Sequence, residues 1–130
     1  MPAGSPIVER VVEGVVILCP ERGMKGEVEN ELKERIDVLV REGRLEILID
    51  LQHMPRVDSS ELGRLIRSHI SVRQAGGKVR LCNISEKVMM LLRMTRLDTV
   101  LDLHGTEEEA LDSIRLRREA KPTGPAPVVP

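Results

Sequence analysis

Two adjacent hydroxyls, those of Ser59 and Ser60, lie between an aspartate and a glutamate at residues 58–61. Asp58 is a favourable N-cap residue, and Glu61 three positions later completes a capping-box pattern. The serines would then occupy the first turn of a helix, beside backbone N–H groups and the positive end of the helix dipole. A phosphate on either hydroxyl would be tolerated there. The serines are therefore candidate phosphate acceptors, and the alternative is that they only supply first-turn hydroxyls.

The same serines are poor candidates for nucleophilic catalysis. A serine hydrolase needs a base that takes the hydroxyl proton and donors that stabilise an oxyanion. The flanking residues do not form the motif G-x-S-x-G, although His53 or His69 could approach in space. An enzyme would require a histidine or carboxylate within hydrogen-bond distance of Ser59. The glycine pair at residues 76–77 also lacks the spacing of a phosphate-binding loop and is interpreted as a helix stop.

No metal site or cofactor is predicted from the sequence. His53, His69 and His104 are scattered, without a nearby partner at metal-ligand spacing. Cys19 and Cys82 each lie in an apolar, strand-like segment, which favours two buried reduced thiols. A disulfide or a redox role is the alternative.

Composition limits the classes of partner. The chain has 130 residues with 41% hydrophobic content, which suits one compact domain. Its 20 basic and 21 acidic residues nearly cancel, and it contains no Phe, Tyr or Trp on which bases could stack, so direct nucleic-acid binding is not expected. No apolar run reaches the roughly 18 residues of a membrane span. We expect a cytoplasmic protein without membrane insertion.

The hydrophobic pattern predicts an α/β fold with the element order β-β-α-β-α-β-α-β-α. The first two strands flank Glu13 and Gly14 as an N-terminal β-hairpin, and helices then alternate with strands, which predicts a mixed sheet with helices packed against it. The predicted strands are residues 7–12, 15–19, 45–51, 78–84 and 99–103. The predicted helices follow Gly26, Asp58, Ser85 and Thr106. In the second helix the predicted inward stripe is Leu62, Leu65, Ile66 and Ile70.

Prolines and small residues set the predicted limits of the domain. Residues 1–6 are predicted to be a flexible leader, residues 7–119 a single domain, and residues 120–130 a proline-rich disordered tail.

The order of these motifs resembles the STAS family, in particular its anti-anti-sigma factors (anti-sigma factor antagonists). The resemblance rests on the D-S-S-x-L-G turn after an apolar strand, the following helix, the glycine turn and strand at residues 76–85, and the helix-to-strand segment at residues 91–103. Residues 45–103 carry most of it. The resemblance implies a single STAS-like domain with no catalysis of its own.

The resemblance also implies a mechanism for this chain. The unphosphorylated protein would bind an anti-sigma factor that is a GHKL-type serine kinase, and so release a sigma factor to alter transcription. The kinase would phosphorylate Ser59, with Ser60 as the other candidate, and a PP2C-type phosphatase would reset this partner switching. The predicted partner-binding surface is Arg56, Asp58, Ser59, Ser60, Glu61, Arg64 and Arg67.

Two alternatives remain open from the sequence. The chain could be a non-switching STAS scaffold of a stress-sensing complex, or a small cytoplasmic subunit of a lipid transporter. Glu61 stands where many anti-anti-sigma factors have glycine, and its carboxylate could either repel a phosphate on Ser59 or tighten the helix cap.

Overall fold

The computed structural model describes residues 7–21 and 27–120. The predicted leader, the proline-rich tail from residue 121 onwards and the loop at residues 22–26 lie outside the described residues. The described strands are β1 (Ile7–Val12), β2 (Val15–Pro20), β3 (Glu46–Asp50), β4 (Lys78–Cys82) and β5 (Asp102–Leu103). The described helices are α1 (Glu27–Arg41), α2 (Ser59–Gln74), α3 (Glu86–Met94) and α4 (Glu107–Ala120), with a short 3₁₀ helix at Leu97–Thr99. Within these ranges, none of the helices combines the length and apolar character needed to cross a bilayer.

The N-terminal hairpin is confirmed. Its turn residues Glu13 and Gly14 both have positive φ, +51° and +82°, as the two-residue turns that match the twist of paired strands require. β1 pairs antiparallel with β2, with Val12 opposite Val15. β1 is largely exposed and forms one edge of the sheet.

The five strands lie side by side in the order β1-β2-β3-β4-β5, and all pairs after the hairpin are parallel. The mixed α/β fold predicted from the sequence is therefore confirmed. Because β2, β3 and β4 run in the same direction, their carboxyl ends meet at one edge, where ligand- and partner-binding loops of α/β sheets are commonly found.

The sheet is covered on both faces, so alternate residues of each central strand enter different clusters of the core. Val16, Leu18 and Ile49 face a large cluster shared with α1, α2 and α3. Ile17 and Leu48 face a smaller cluster that contains Ala110, Leu111 and Ile114 of α4. All three α4 residues are buried. Aliphatic side chains burying both faces explain why the central strands are nearly uninterrupted apolar runs.

The last predicted strand is mostly wrong. Residues 99–101 do not pair in the sheet, because the 3₁₀ helix satisfies their backbone locally: the N–H groups of Val100 and Leu101 both donate to the Leu97 carbonyl, at 3.0 and 2.9 Å. Only Asp102 and Leu103 pair with β4.

The predicted position of Ile70 is also wrong. Its side chain is 47% exposed, and His69 is buried in its place. The reason is geometric: at about 100° per residue, a side chain seven positions after Leu62 returns to nearly the same face, whereas one eight positions later lies about 80° away from it. The core-facing stripe of α2 is therefore Leu62, Leu65, His69 and Val72.

Candidate functional site

The loop from β3 to α2 is held down by buried apolar side chains. Leu51, Met54 and Val57 are all buried in the large core cluster, and the Met54 N–H donates to the Leu51 carbonyl at 2.9 Å. The intervening residues Pro55 and Arg56 are exposed. The loop is thus anchored at both ends, which fixes where α2 begins.

The predicted capping box at the start of α2 is confirmed. The Glu61 N–H donates to Asp58 Oδ1 at 2.8 Å, and the Asp58 N–H donates to Glu61 Oε1 at 2.9 Å. Glu61 is only 2% exposed, and its contribution to a partner-facing surface stays a prediction. A buried carboxylate is tolerated here because it accepts a backbone N–H near the positive end of the helix dipole.

Ser59 and Ser60 are both exposed in the first turn of α2. Neither hydroxyl has a hydrogen-bond partner among the described residues. His53 lies beside Glu21 instead, with Nε2 3.2 Å from Oε2, and His69 is buried on the core face of the helix. In the described part of the chain, therefore, no base is placed to activate a serine as a nucleophile.

Three arginines were predicted to surround the serine turn. Arg56 and Arg67 are exposed, and neither forms an ion pair with a described residue. Arg64 is half-buried. Ser60, Arg64 and Arg67 are spaced four and three residues apart, which places them along one face of α2. This face of α2 therefore carries the Ser60 hydroxyl together with the positive charges of the two arginines.

A second stripe of α2 begins at Ser59. Gly63, Ile66 and Ile70 follow at helical spacing, and a methyl group built onto Gly63 would meet no atom within 4 Å. Ile66 is half-buried, while Ile70 is exposed. The stripe is a partly apolar surface that sequence reasoning missed, because it assigned both isoleucines to the core.

Behind the turn, a polar network joins the carboxyl ends of β3 and β4. Asp50 is buried, and its Oδ1 accepts from the Gln52 N–H at 3.0 Å and from Asn83 Nδ2 at 3.1 Å. Gln52 Nε2 donates to Asp50 Oδ2 at 2.9 Å. Asn83 has a φ of +54°, a conformation that asparagine tolerates better than most residues. The network holds neighbouring loops in register at the edge that carries Ser59.

Both cysteines are free and buried, as predicted. Burial, reinforced by the negative charge of Asp50, raises the pKa of the Cys19 thiol to about 11 and that of Cys82 to about 12. Neither thiol is therefore activated as a nucleophile.

Cys19 also belongs to a group of possible metal ligands that the sequence did not reveal. One donor atom each of Cys19, Glu21 and His53 lies within 4.8 Å of the others. The residues come from two separate connections, and only the parallel pairing of β2 and β3 brings them together. No local spacing motif could have found them.

Comparison with known proteins places this geometry in a family. A family model described as the STAS domain matches residues 7–110. A provisionally named anti-sigma factor antagonist of Thermotoga neapolitana is 31% identical over 109 residues, which span 83% of this chain and 96% of that protein. The crystal structure of a provisionally named anti-sigma factor antagonist of Thermotoga maritima aligns with a TM-score of 0.78 at 28% identity, covering 84% of this chain and 94% of that one.

A more distant structural relative is the anti-sigma factor antagonist SpoIIAA. The structure of its unphosphorylated form aligns with a TM-score of 0.71 at 20% identity. The phosphorylated form of the Bacillus cell fate determinant SpoIIAA gives 0.65 at 19% identity. These alignments cover 84% of this chain and 96% and 99% of the two SpoIIAA chains, and they show a shared fold. With the family match spanning every described strand and the start of α4, the chain belongs to the STAS domain family.

Proposed function

We propose that this protein is an anti-sigma factor antagonist: a regulatory binding protein, not an enzyme, whose affinity for an anti-sigma kinase is switched by phosphorylation of Ser59. The observation that carries the proposal is the exposed Ser59 hydroxyl in the first turn of α2, on a helix start fixed by the Asp58–Glu61 capping box. The names of the Thermotoga relatives support the antagonist role, and the existence of a phosphorylated form of SpoIIAA supports the modification.

A phosphate on Ser59 would be stabilised by its position at the start of α2. The first N–H groups of a helix have no partner within the helix, and the dipole favours negative charge there. Asp58 and Glu61 already satisfy the N–H groups of each other, so a phosphate need not displace the cap. The fold can therefore accept the modification without rearrangement.

Phosphorylation would switch binding by changing the charge of the surface around Ser59. Phosphorylation adds about 1.5 to 2 negative charges at neutral pH, beside the exposed Asp58 carboxylate. An interface that covers unmodified Ser59 would have to desolvate this charge, and an acidic partner surface would be repelled by it. Arg56 and Arg67, exposed and without ion pairs among the described residues, favour an acidic partner in the unphosphorylated state.

The structure bears on which role Glu61 plays. Its carboxylate is buried and accepts the Asp58 N–H at 2.9 Å, which supports the interpretation that Glu61 tightens the helix cap. A partner-facing role for the side chain would require it to leave the capping box.

The proposal is tested by intact-mass analysis after incubation with ATP and each GHKL-type kinase of the source organism. We expect one added phosphate on the wild-type chain, the same on Ser60→Ala, and none on Ser59→Ala. Substantial labelling of Ser59→Ala would assign the switch to another hydroxyl. No labelling by any of these kinases would favour a STAS module that does not switch.

A negative charge at Ser59 should lower the affinity of the chain for the anti-sigma kinase. Ser59→Asp should weaken binding of the kinase at least tenfold by calorimetry, because a fixed carboxylate mimics part of the phosphate charge. The matched control is Ser113→Asp, a serine on α4, which packs on the opposite face of the sheet from α2. Equal affinity of wild type and Ser59→Asp would contradict an electrostatic switch.

A further inference from the structure

Three donor atoms of different chemistry converge at the carboxyl end of β2. Glu21 Oε2 lies 3.8 Å from Cys19 Sγ and 3.2 Å from His53 Nε2. All three ligand atoms lie within 4.8 Å of one another. Sulfur, imidazole nitrogen and carboxylate oxygen are together the donor set that zinc uses.

The two separations from Glu21 Oε2 match edges of a tetrahedral zinc site, and the donor atoms of Cys19 and His53 lie within 4.8 Å of each other. Zinc bonds of about 2.3 Å to sulfur and about 2.0–2.1 Å to nitrogen or oxygen place a sulfur and an oxygen ligand about 3.6 Å apart, and a nitrogen and an oxygen ligand about 3.3 Å apart. The distances from Glu21 Oε2 to Cys19 Sγ and His53 Nε2 differ little from these values. An ion could therefore bind with small side-chain adjustments.

We propose that Cys19, Glu21 and His53 form a binding site for one Zn²⁺ ion or a divalent ion of the same borderline-soft class. The site is distinct from the serine turn and does not rest on the proposed switch. On binding, the S–H bond of Cys19 breaks, its proton passes to solvent, and the sulfur forms a bond to the metal. The thiolate and the Glu21 carboxylate then balance the two positive charges of the ion.

The surroundings suit such a site. The three residues line an open groove of about 160 Å³ together with Val8, Arg10, Asp50 and Gln52, which leaves room for a water molecule as a fourth ligand. The charge of Arg10 is engaged by an ion pair with Glu107. The side chains of His53 and Glu21 are 49% and 40% exposed, so the ion can enter from solvent.

A second group supports the sulfur ligand. Gln52 Nε2 lies 3.9 Å from Cys19 Sγ and 2.9 Å from Asp50 Oδ2, and its two N–H bonds donate one to each. A donated N–H stabilises negative charge on a ligating thiolate, which is how neighbours commonly tune a metal site. Gln52 would thus keep its contact with sulfur after the thiol loses its proton.

Metal binding would have a structural consequence. Glu21 begins the connection from β2 to α1, whereas His53 lies in the connection from β3 to α2. A shared ion would join these two loops, which leave neighbouring parallel strands at the edge that carries Ser59. The ion would restrain the segment that leads to the serine turn.

The test uses the reduced, tag-free full chain titrated with Co²⁺, which reports thiolate coordination through a near-ultraviolet charge-transfer band. We expect one equivalent of Co²⁺ to produce the band, and excess Zn²⁺ to abolish it. Cys19→Ser should lose the band. Cys82→Ser, which removes the other buried thiol, should retain it.

The two exposed ligands provide variants that keep the core intact. His53→Asn and Glu21→Gln should each weaken Co²⁺ binding at least tenfold, and Zn²⁺ should raise the Tm of the wild type but not that of His53→Asn. Absence of the band in the wild type would overturn the proposal. So would a band that survives Cys19→Ser, or an affinity unchanged by both exposed-ligand variants, since either would assign the metal to other groups.

Discussion

Ser85 and Pro55 join the start of α3 to the loop that leads into α2. Ser85 Oγ donates to the Pro55 carbonyl oxygen at 2.9 Å and accepts the Val88 N–H at 3.2 Å. One hydroxyl therefore caps α3 and fixes the approach to the serine turn. It connects two loops that follow neighbouring parallel strands, β3 and β4.

Ser85→Ala should lower the free energy of unfolding by about 1 kcal/mol, the usual cost of losing an N-cap side chain. Chemical denaturation of the wild type and variant measures this difference. Ser113→Ala is the matched control, because Ser113 lies inside α4 rather than at a cap, and it should change stability by less than about 0.5 kcal/mol. Equal effects of the two substitutions would contradict a capping role for Ser85.

Glu61 offers a separate prediction about the cap. Glu61→Ala removes the acceptor for the Asp58 N–H and should cost about 1 kcal/mol or more, because a buried polar contact is also lost. Glu61→Gln retains a carbonyl oxygen at this position and should cost less. Denaturant midpoints of the two variants give the comparison, and equal losses for Glu61→Gln and Glu61→Ala would show that the charge matters more than the hydrogen bond.

The same pair of variants bears on phosphorylation. If Glu61 only tightens the cap, Glu61→Gln should be phosphorylated at a rate within about twofold of wild type. A clear increase in rate would instead support the alternative that the carboxylate repels phosphate. The rate is measured by intact mass over time with the cognate kinase.

Gly63→Ala should separate folding from binding. A methyl group there meets no atom within 4 Å, and replacing glycine by alanine inside a helix stabilises by about 0.5–1 kcal/mol. The same methyl group would protrude from the stripe that begins at Ser59. We expect chemical denaturation to give a higher free energy of unfolding, and calorimetry to give weaker binding of the anti-sigma partner. Unchanged binding would exclude this stripe from the interface.

Gly77→Ala is the contrasting control. A methyl group on Gly77 would come within 2.9 Å of Leu45 Cα and closer still to the Leu45 Cβ and carbonyl oxygen. The backbone must move to accept it, at a cost of about 1–3 kcal/mol. Stabilisation by both glycine substitutions would show that Gly77 does not pack closely against Leu45.

The features that the sequence predicts correctly depend on residues that lie close together in the chain. Asp58, Glu61 and Ser85 are capping residues whose partners lie three positions away, so spacing alone identifies them. The hairpin turn at Glu13 and Gly14 is equally local. Alternation of apolar runs with helical periods then gives the element order, and parallel pairing follows from the helical connections.

The features that the sequence does not predict depend on the phase of a helix or on contacts between distant segments. His69 replaces Ile70 in the core because of a small rotation that hydrophobicity alone does not specify. Arg80, in the middle of β4, is 1% exposed and pairs with Glu46 at 2.6 Å, a contact between two strands. The group formed by Cys19, Glu21 and His53 likewise exists only once β2 and β3 are paired.

Buried His69 should make stability depend on pH. Burial lowers its pKa, with the positive charges of Arg73 and Lys78 acting in the same direction and Asp102 opposing them. Its Nδ1 has no hydrogen-bond partner among the described residues. Below about pH 6.5 the unfolded chain binds a proton at this histidine that the folded protein resists, so the free energy of unfolding should fall as the pH is lowered.

The measurement is a series of urea denaturations between pH 7.5 and pH 5, in steps of about half a unit, for the wild type and His69→Gln. One proton bound only by the unfolded state gives a slope of at most about 1.4 kcal/mol per pH unit. The free energy of unfolding of the wild type should fall relative to that of the variant as the pH is lowered, because glutamine cannot be protonated and the other histidines are present in both proteins. Parallel pH profiles would show that the imidazole of His69 is protonated as readily in the folded protein as in the unfolded chain.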